Sequence, residues 1–200
     1  MESRGVKDFE FVFALYSLLL GLSMVELLSG LGRALEARFA LEDGHGKAGR
    51  RKFAIGWLTP LLAIFVMLDL LSFWSAAWTV RADIAVSGTT LMAVAAFASL
   101  YFLAARLVFP SHPEGFADLD VHYFRVRRVV LGLLLILLAA QLGYYLSQPD
   151  IAPNLTHPLA LGLTLVLVAL MTAAMWVRDR RWSTAILAAL VARYVVIYLL

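Results

Sequence analysis

The stretch FEFVFALYSLLLGLSMVELLSGL, residues 9–31, is an almost unbroken apolar run, and its length decides the fold class of the chain. A helix needs about 20 apolar residues to cross the hydrocarbon core of a bilayer. Comparable runs follow at residues 53–80, 84–109, 126–147, 158–177 and 183–200. Because none of the runs alternates strictly between apolar and polar residues, transmembrane β-strands are excluded. The sequence predicts an all-α integral membrane bundle of six transmembrane helices, forming a single transmembrane domain over residues 1–200.

Lysine and arginine residues are distributed unevenly around these runs. Thirteen lie in or beside the loops that follow the first, third and fifth runs, whereas the opposite side carries Arg4, Lys7 and Arg81. Since cytoplasmic loops carry the excess of positive charge, both termini are predicted outside. The same asymmetry accounts for the net charge of +3, so no nucleic-acid partner is predicted.

The composition narrows the compartment. The chain contains no cysteine, which excludes disulfides, thiolate metal sites and lipidated cysteine. Arginine outnumbers lysine by fourteen to three, and alanine and leucine dominate, a pattern typical of a GC-rich bacterial genome. The first apolar run continues into a charged helix end, unlike a cleavable signal peptide. We therefore predict a multi-pass protein of the bacterial inner (cytoplasmic) membrane.

Two motifs resemble cofactor or metal sites but lack the structural context that such sites need. The segment GHGKAG, residues 44–49, matches G-x-G-x-x-G, yet a dinucleotide site requires a βαβ unit and a membrane span lies on either side here. Asp118, Asp120 and His122 alternate along the chain, but alternate residues share a face only on a strand. A cap on the fourth helix, provided by Asp118 or Asp120, is the favoured interpretation. No cofactor, metal or catalytic residue is predicted.

The start of the fourth span carries candidates for contacts at the cytoplasmic interface. These are His122, Tyr123 and Arg125. Tyrosine is enriched where a span meets the headgroups, and arginine attracts anionic lipid. The sequence therefore predicts that Tyr123 and Phe124 lie at the headgroup level, and that Arg125 and its arginine neighbours at 127 and 128 face anionic lipid headgroups.

Charged residues inside apolar runs are costly and therefore point to a function or to a specific partner. Asp69 in the second span and Arg193 in the last lie at similar depths, as does Gln141 in the fourth. We predict that Asp69 and Arg193 pair across two helices with Gln141 nearby. A structural ion pair that fixes helix register and a functional site are equally favoured interpretations.

Glu26 lies near the cytoplasmic end of the first span, on a polar stripe that continues to Arg33. Arg33 follows seven residues later, two turns along a straight helix, which predicts no direct contact. One interpretation is a proton or cation site in a cytoplasm-facing cavity, or a contact to a lipid headgroup. The other is a protonated carboxyl that is hydrogen-bonded inside the bundle.

Several smaller features carry predictions of local structure. Pro60 lies inside the second apolar run and is expected to kink it or to widen a gap beside it. The proline-containing segment 149–154 is predicted to be a connector rather than a helix. Most tryptophans lie near span ends, as interfacial anchors do: Trp57, Trp74, Trp78, Trp176 and Trp182.

Short strings over the first two thirds of the chain resemble a family of small, uncharacterised bacterial inner-membrane proteins. The strings are Gly21-Leu22, Leu27-Leu28, Gly30 and Arg33, then Phe73-Trp74, Trp78 and Arg81, then Phe109-Pro110 and His122-Tyr123-Phe124-Arg125. The resemblance implies a multi-span membrane fold and carries no activity with it. If the strings mark a shared site, the cytoplasmic ends of the first, third and fourth spans would form it.

Two classes of function fit these features. The favoured hypothesis is a small ion or solute channel or transporter that uses the intramembrane charged residues and is expected to form a homo-oligomer. The alternative is a non-catalytic membrane subunit, sensor or lipid-binding partner protein. A membrane enzyme is not predicted, because no convincing nucleophile or metal set is found. In either class the predicted surroundings are the lipid bilayer and, on the cytoplasmic side, its anionic headgroups.

Overall fold

The computed structural model describes residues 2–42, 54–79, 87–113, 118–149, 152–155 and 157–199. The helices over these residues are α1 (Glu2–Glu42), α2 (Leu58–Thr79), α3 (Gly88–Val108), α4 (Leu119–Leu146), α5 (Ala152–Leu155), α6 (Pro158–Trp176) and α7 (Arg180–Leu199). All of them except α5 are long and apolar enough to cross a membrane. The predicted all-helical fold with six candidate spans is confirmed.

Helix boundaries differ from the apolar runs mainly where polar residues continue a helix. α1 extends to Glu42, beyond the run that ends at residue 31, and α4 begins already at Leu119. Hydropathy marks only the part of a helix that fits the bilayer core, so polar extensions escape it. Asp118 caps α4, because its carboxylate accepts a hydrogen bond of 2.9 Å from the Asp120 N–H. The predicted cap is thereby confirmed.

Two local predictions are wrong. The kink expected at Pro60 requires a proline in the interior of a helix, but α2 begins at Leu58 and Pro60 lies in its first turn. An N–H group there has no intrahelical partner, so proline is accommodated without breaking the helix. The segment 149–154 was expected to lack a helix, yet it overlaps the single turn α5. Pro153 stands at the second position of that turn, where again no N–H group is needed.

Close helix contacts depend on small residues at a few positions. α1 packs mainly against α3 and α2 mainly against α7, while α4 contacts α2, α3 and α6. At Gly30 a Cβ atom would lie 2.6 Å from Cδ2 of Phe109, so only glycine lets α1 approach the end of α3 there. Between α2 and α3, the Phe73 and Tyr101 rings pack edge to face with centroids 5.1 Å apart.

Large apolar side chains also cover the outside of the bundle. Leu18 is 63 % exposed, Met92 75 % and Leu165 68 %. A soluble monomer rarely exposes apolar surface so extensively, whereas helices that are apolar all round are typical of membrane spans. The six apolar helices and this surface are consistent with a multi-pass membrane protein.

The helices define two ends of the bundle. The last turns of α3 and α6, the first turns of α2, α4 and α7 and the part of α1 from Glu26 to Arg33 form one end, which we name the basic end because Arg33, Arg106 and Arg180 lie there. The opposite end, named the far end, is formed by the last turns of α2, α4 and α7 and the first turns of α1, α3 and α6.

Candidate functional site

A cavity of about 700 Å³ lies between α1, α2, α3 and α4 towards the far end. Its lining consists of Tyr16, Phe73, Ala77, Ser87, Thr89, Thr90, Ala93, Val94, Phe97, Ala140, Gln141, Tyr144, Tyr145 and Gln148. Cavities of about 300–1,000 Å³ that are mostly apolar and carry a few polar groups are typical of small-molecule sites. Size and lining therefore make this cavity the candidate binding site.

The walls of the cavity are aromatic and uncharged. The Tyr16 and Phe97 ring centroids are 6.4 Å apart, and those of Phe73 and Phe97 are 5.1 Å apart. No Asp, Glu, Lys, Arg or His belongs to the lining that the structure describes. Because an unpaired charge is costly to bury, such walls suit an uncharged and largely apolar ligand.

Two glutamine amides supply hydrogen-bonding capacity to the cavity. The Gln141 amide donates to the Tyr145 hydroxyl over 3.2 Å, and that hydroxyl donates to the Ala76 carbonyl over 2.9 Å, which fixes the direction of the amide. Over the described residues, neither the Gln141 amide oxygen nor the Gln148 side chain has a hydrogen-bond partner. Both amides are therefore available to a ligand.

Behind the cavity floor, the Asp69 carboxylate is held by two tyrosines. Asp69 is 4 % exposed. The Tyr101 hydroxyl, from α3, donates to it over 2.6 Å, and the Tyr194 hydroxyl, from α7, donates over 2.5 Å. Phe73 and Phe97, which line the cavity, pack against the Tyr101 ring. The buried carboxylate thus joins α2, α3 and α7 directly beneath the aromatic wall.

The predicted ion pair between Asp69 and Arg193 is wrong. The Arg193 Nε atom donates to the Leu163 carbonyl of α6 over 3.2 Å, and its guanidinium lies 5.2 Å from the Tyr194 ring centroid. Because α7 turns Tyr194 towards Asp69, the preceding residue faces α6 instead. Gln141 is likewise bonded to Tyr145 and not to Asp69.

Glu26 lies at the centre of an ion-pair cluster at the basic end. One Oε1 atom accepts from Arg33 over 3.2 Å and from Arg106 of α3 over 2.9 Å. The prediction that Arg33 is too far away is wrong, because its long side chain spans the two intervening turns. The Glu26 side chain is 21 % exposed. Two guanidinium groups neutralise it and tie α1 to α3, so it is not an open cation ligand.

A second cluster joins three loops at the basic end. The Asp120 carboxylate accepts a hydrogen bond of 3.0 Å from the Leu58 N–H at the start of α2 and pairs with Arg180 of α7. Arg180 also contacts Asp118 over 3.1 Å. At Gly56 a Cβ atom would overlap the Asp120 carboxylate, so glycine leaves the room that this cap needs. We name these residues the three-loop latch.

The three predicted interface residues separate in the structure. Tyr123 is fully buried, and His122 is 8 % exposed with Nε2 lying 3.1 Å from the Leu107 carbonyl of α3. The predicted headgroup position of Tyr123 is therefore wrong, because that face of α4 packs into the bundle. Arg125 is exposed. The end of α3 contacts α1 at Gly30 through Phe109 and contacts the start of α4 through His122, but that these residues form a shared site stays a prediction.

Two arginines of α4 bind the end of α6 instead of facing outward together. Arg127 is 3 % exposed and donates to the Ala174 carbonyl over 3.1 Å and to the Val177 carbonyl. Arg128 donates to the Met175 carbonyl over 3.3 Å. The last carbonyls of a helix lack intrahelical partners and carry partial negative charge, so guanidinium groups satisfy them well. The prediction that Arg127 faces lipid is wrong.

Two further predictions concern motifs. Within the part of the chain that the structure describes, no three His, Cys, Asp or Glu side chains lie close enough together to hold a metal ion. The glycine-rich segment 44–49 lies outside the described residues. Its interpretation as a basic linker stays a prediction.

The residues that sequence reasoning missed around Asp69 and the cavity are uncharged. Tyr101 and Tyr194 look like ordinary core aromatics in an apolar run, and Tyr145 looks like an interfacial residue. The signal that could have pointed to these tyrosines is Asp69 itself, because a buried carboxylate is normally found with hydrogen-bond donors around it. Compared with protein-family models, curated proteins and solved structures, the chain has no match.

Proposed function

We propose that the chain is a membrane-embedded binding protein for an uncharged amphiphilic small molecule or lipid, which it holds in the cavity between α1 and α4. The observation that carries this proposal is the cavity of about 700 Å³ with its aromatic lining, in which the described residues contribute no charged side chain. We further propose that the bundle lies in the bacterial inner membrane with both termini outside, so that the far end faces away from the cytoplasm.

The positions of the polar lining residues indicate how the ligand is oriented. Ser87 caps α3 at the far end, and Gln148 follows the end of α4. Gln141 lies seven residues deeper along α4, which is about 10 Å at the helical rise. The ligand would place its polar end near Ser87 and Gln148 and its apolar body against the aromatic rings. A hydrogen-bond donor of the ligand would lie near the Gln141 amide oxygen.

A channel or transporter that uses the intramembrane charges has less support. Glu26 is paired with two arginines, Asp69 is bonded to two tyrosines, and Arg193 binds a carbonyl of α6. None of these side chains lines the cavity. A static binding site therefore accounts for the geometry better than a charged pathway does.

The experiment compares two adjacent alanines of α4. Both alanines are exposed, but Ala140 lines the cavity and Ala139 does not. The protein would be purified from its membrane in mild detergent, and small molecules retained on wild type, Ala140→Phe and Ala139→Phe would be measured by native mass spectrometry. Filling the cavity is expected to lower occupancy by about tenfold or more, the effect of 1.4 kcal/mol of binding free energy.

The proposal predicts one retained compound of constant mass and no net charge. Ala140→Phe should lose it and Ala139→Phe should keep it, with thermal unfolding in detergent confirming that both variants fold. A wild type that retains nothing, or variants that retain the compound equally, would contradict binding in this cavity.

A further inference from the structure

The hairpin between α6 and α7 presents two exposed tryptophans at the basic end. Trp176 ends α6 and is 66 % exposed, and Trp182 lies in the first turn of α7 and is 68 % exposed. Indole rings have an apolar body and a polar N–H group, and they concentrate where a bilayer meets water. The pair brackets the segment WVRDRRW, residues 176–182.

Between the tryptophans stand two arginines whose charge is not used inside the protein. Arg178 and Arg181 are exposed, and over the described residues neither has a hydrogen bond or an ion pair. Their neighbour Arg180 is committed to the three-loop latch. The carboxylate of Asp179, which lies between the two arginines, also has a partner. It caps α7 by accepting a hydrogen bond of 3.0 Å from the backbone N–H of Trp182.

A third positive charge orders the tryptophan on the α6 side. The Arg128 guanidinium lies 4.8 Å from the Trp176 ring centroid, within the range of a cation–π contact. Its Nε atom is held by the Met175 carbonyl. The guanidinium therefore stays beside the exposed indole and adds positive charge next to Arg178.

We infer that this hairpin binds the headgroup phosphate of an anionic phospholipid through Arg178 and Arg181, with Trp176 and Trp182 inserted among the headgroups. Guanidinium groups bind phosphate with paired, charge-assisted hydrogen bonds. A lipid is the ligand, because the flanking indoles lie at the ends of membrane-spanning helices, at the depth of headgroups. The inference does not depend on the cavity or on what the cavity binds.

The test measures lipid preference directly. Purified protein in detergent would be titrated with dioleoylphosphatidylglycerol and, separately, with dioleoylphosphatidylcholine, and lipid adducts would be counted by native mass spectrometry. Wild type is expected to prefer the anionic lipid. Arg178→Gln with Arg181→Gln should lower that preference by about fivefold for each arginine removed, since one basic residue near a membrane surface has an effect of that size.

Matched controls separate a local site from net charge. Arg4→Gln with Lys7→Gln removes two positive charges from the other end of α1 and should leave the preference unchanged. Arg178→Lys with Arg181→Lys keeps the charge and should retain most of it. Thermal unfolding in detergent checks that each variant is folded.

Three results would overturn the inference. The first is a wild type without preference for the anionic lipid. The second is an equal loss of preference in the control lacking the charges of Arg4 and Lys7, which would assign the effect to net charge. The third is displacement of the lipid by excess inorganic phosphate, which would make the site one for soluble anions.

Discussion

At the scale of single residues, the charges inside the membrane segments are used for cohesion. Glu26 joins α1 to α3 through Arg106, and Asp69 joins α2 to α3 and α7 through two tyrosine hydroxyls. A hydrogen bond to a charged group contributes about 1.5–3 kcal/mol, and leaving such a buried carboxylate unsatisfied costs more than that. These contacts specify which helices are neighbours, which purely apolar surfaces do poorly.

The substitution Glu26→Gln tests whether that carboxylate conducts ions or only joins helices. Removing its charge leaves Arg33 and Arg106 facing each other without their shared partner. The arginine side chains are 35 % and 38 % exposed, so solvent screens the pair and the expected loss of stability is about 1 kcal/mol or less. Thermal unfolding in detergent measures this change.

Flux of protons and alkali cations into liposomes distinguishes the two roles of Glu26. We expect no flux in wild type above that of empty liposomes, and no change in Glu26→Gln. Measurable wild-type flux that the substitution abolishes would contradict the cohesive role and restore the channel hypothesis.

The sequence identified the important charges but not their partners. Glu26 and Asp69 stand out because a membrane span tolerates few charges. The arginine that reaches Glu26 over two turns depends on its rotamer, and the tyrosines that hold Asp69 depend on how three helices are rotated. Neither the rotamer of an arginine nor the rotation of a helix about its axis can be read from hydropathy or from spacing along one helix. The cavity could not be predicted from the sequence either, because its lining comes from four separate helices.

At the scale of helices, the apolar runs identified the six long elements but misplaced their ends. Ends are set by local hydrogen bonds, such as the Ser87 side chain that accepts from the Thr90 N–H at the start of α3. The start of α2 depends on a residue far away in sequence, since Asp120 supplies the acceptor for its first N–H group. Asp118, which caps its own helix, was predicted from the sequence pattern.

The substitution Gly56→Ala tests the cap that Asp120 of α4 supplies to the start of α2. An added Cβ atom would displace the Asp120 carboxylate from the start of α2 and from Arg180. The Leu58 N–H would then lose its acceptor, with an expected loss of about 1–3 kcal/mol in unfolding free energy. The control Gly162→Ala, at a position of α6 where a Cβ meets open space, should be neutral or stabilising by up to about 1 kcal/mol.

Thermal unfolding of both glycine variants in the same detergent gives the comparison. A Gly56→Ala protein as stable as wild type would show that the loop shifts at little cost and that the latch is not a rigid cap. A shorter side chain at position 120 is not expected to restore the stability of Gly56→Ala. Shortening that side chain also removes the acceptor of the Leu58 N–H group.

At the scale of the whole molecule, the two ends of the bundle differ in chemistry, and their orientation decides what each can meet. The basic end carries the hairpin with Arg178 and Arg181, whereas the cavity lies towards the far end. The distribution of lysine and arginine predicts the basic end in the cytoplasm, where anionic lipid concentrates. In that orientation the cavity would take its ligand from the outer half of the membrane or from outside the cell.

Cysteine labelling tests this orientation without background, because the chain contains no cysteine. His157 and Arg178 are exposed and lie at the two ends of α6, and neither side chain makes a hydrogen bond within the described residues. In bacterial spheroplasts, a membrane-impermeant maleimide should label His157→Cys directly and Arg178→Cys only after permeabilisation. The opposite pattern would place the cavity on the cytoplasmic side and remove Arg178 and Arg181 from the leaflet in which their proposed lipid is expected. Because the two residues flank α6, labelling of both in intact spheroplasts would contradict a membrane span at α6.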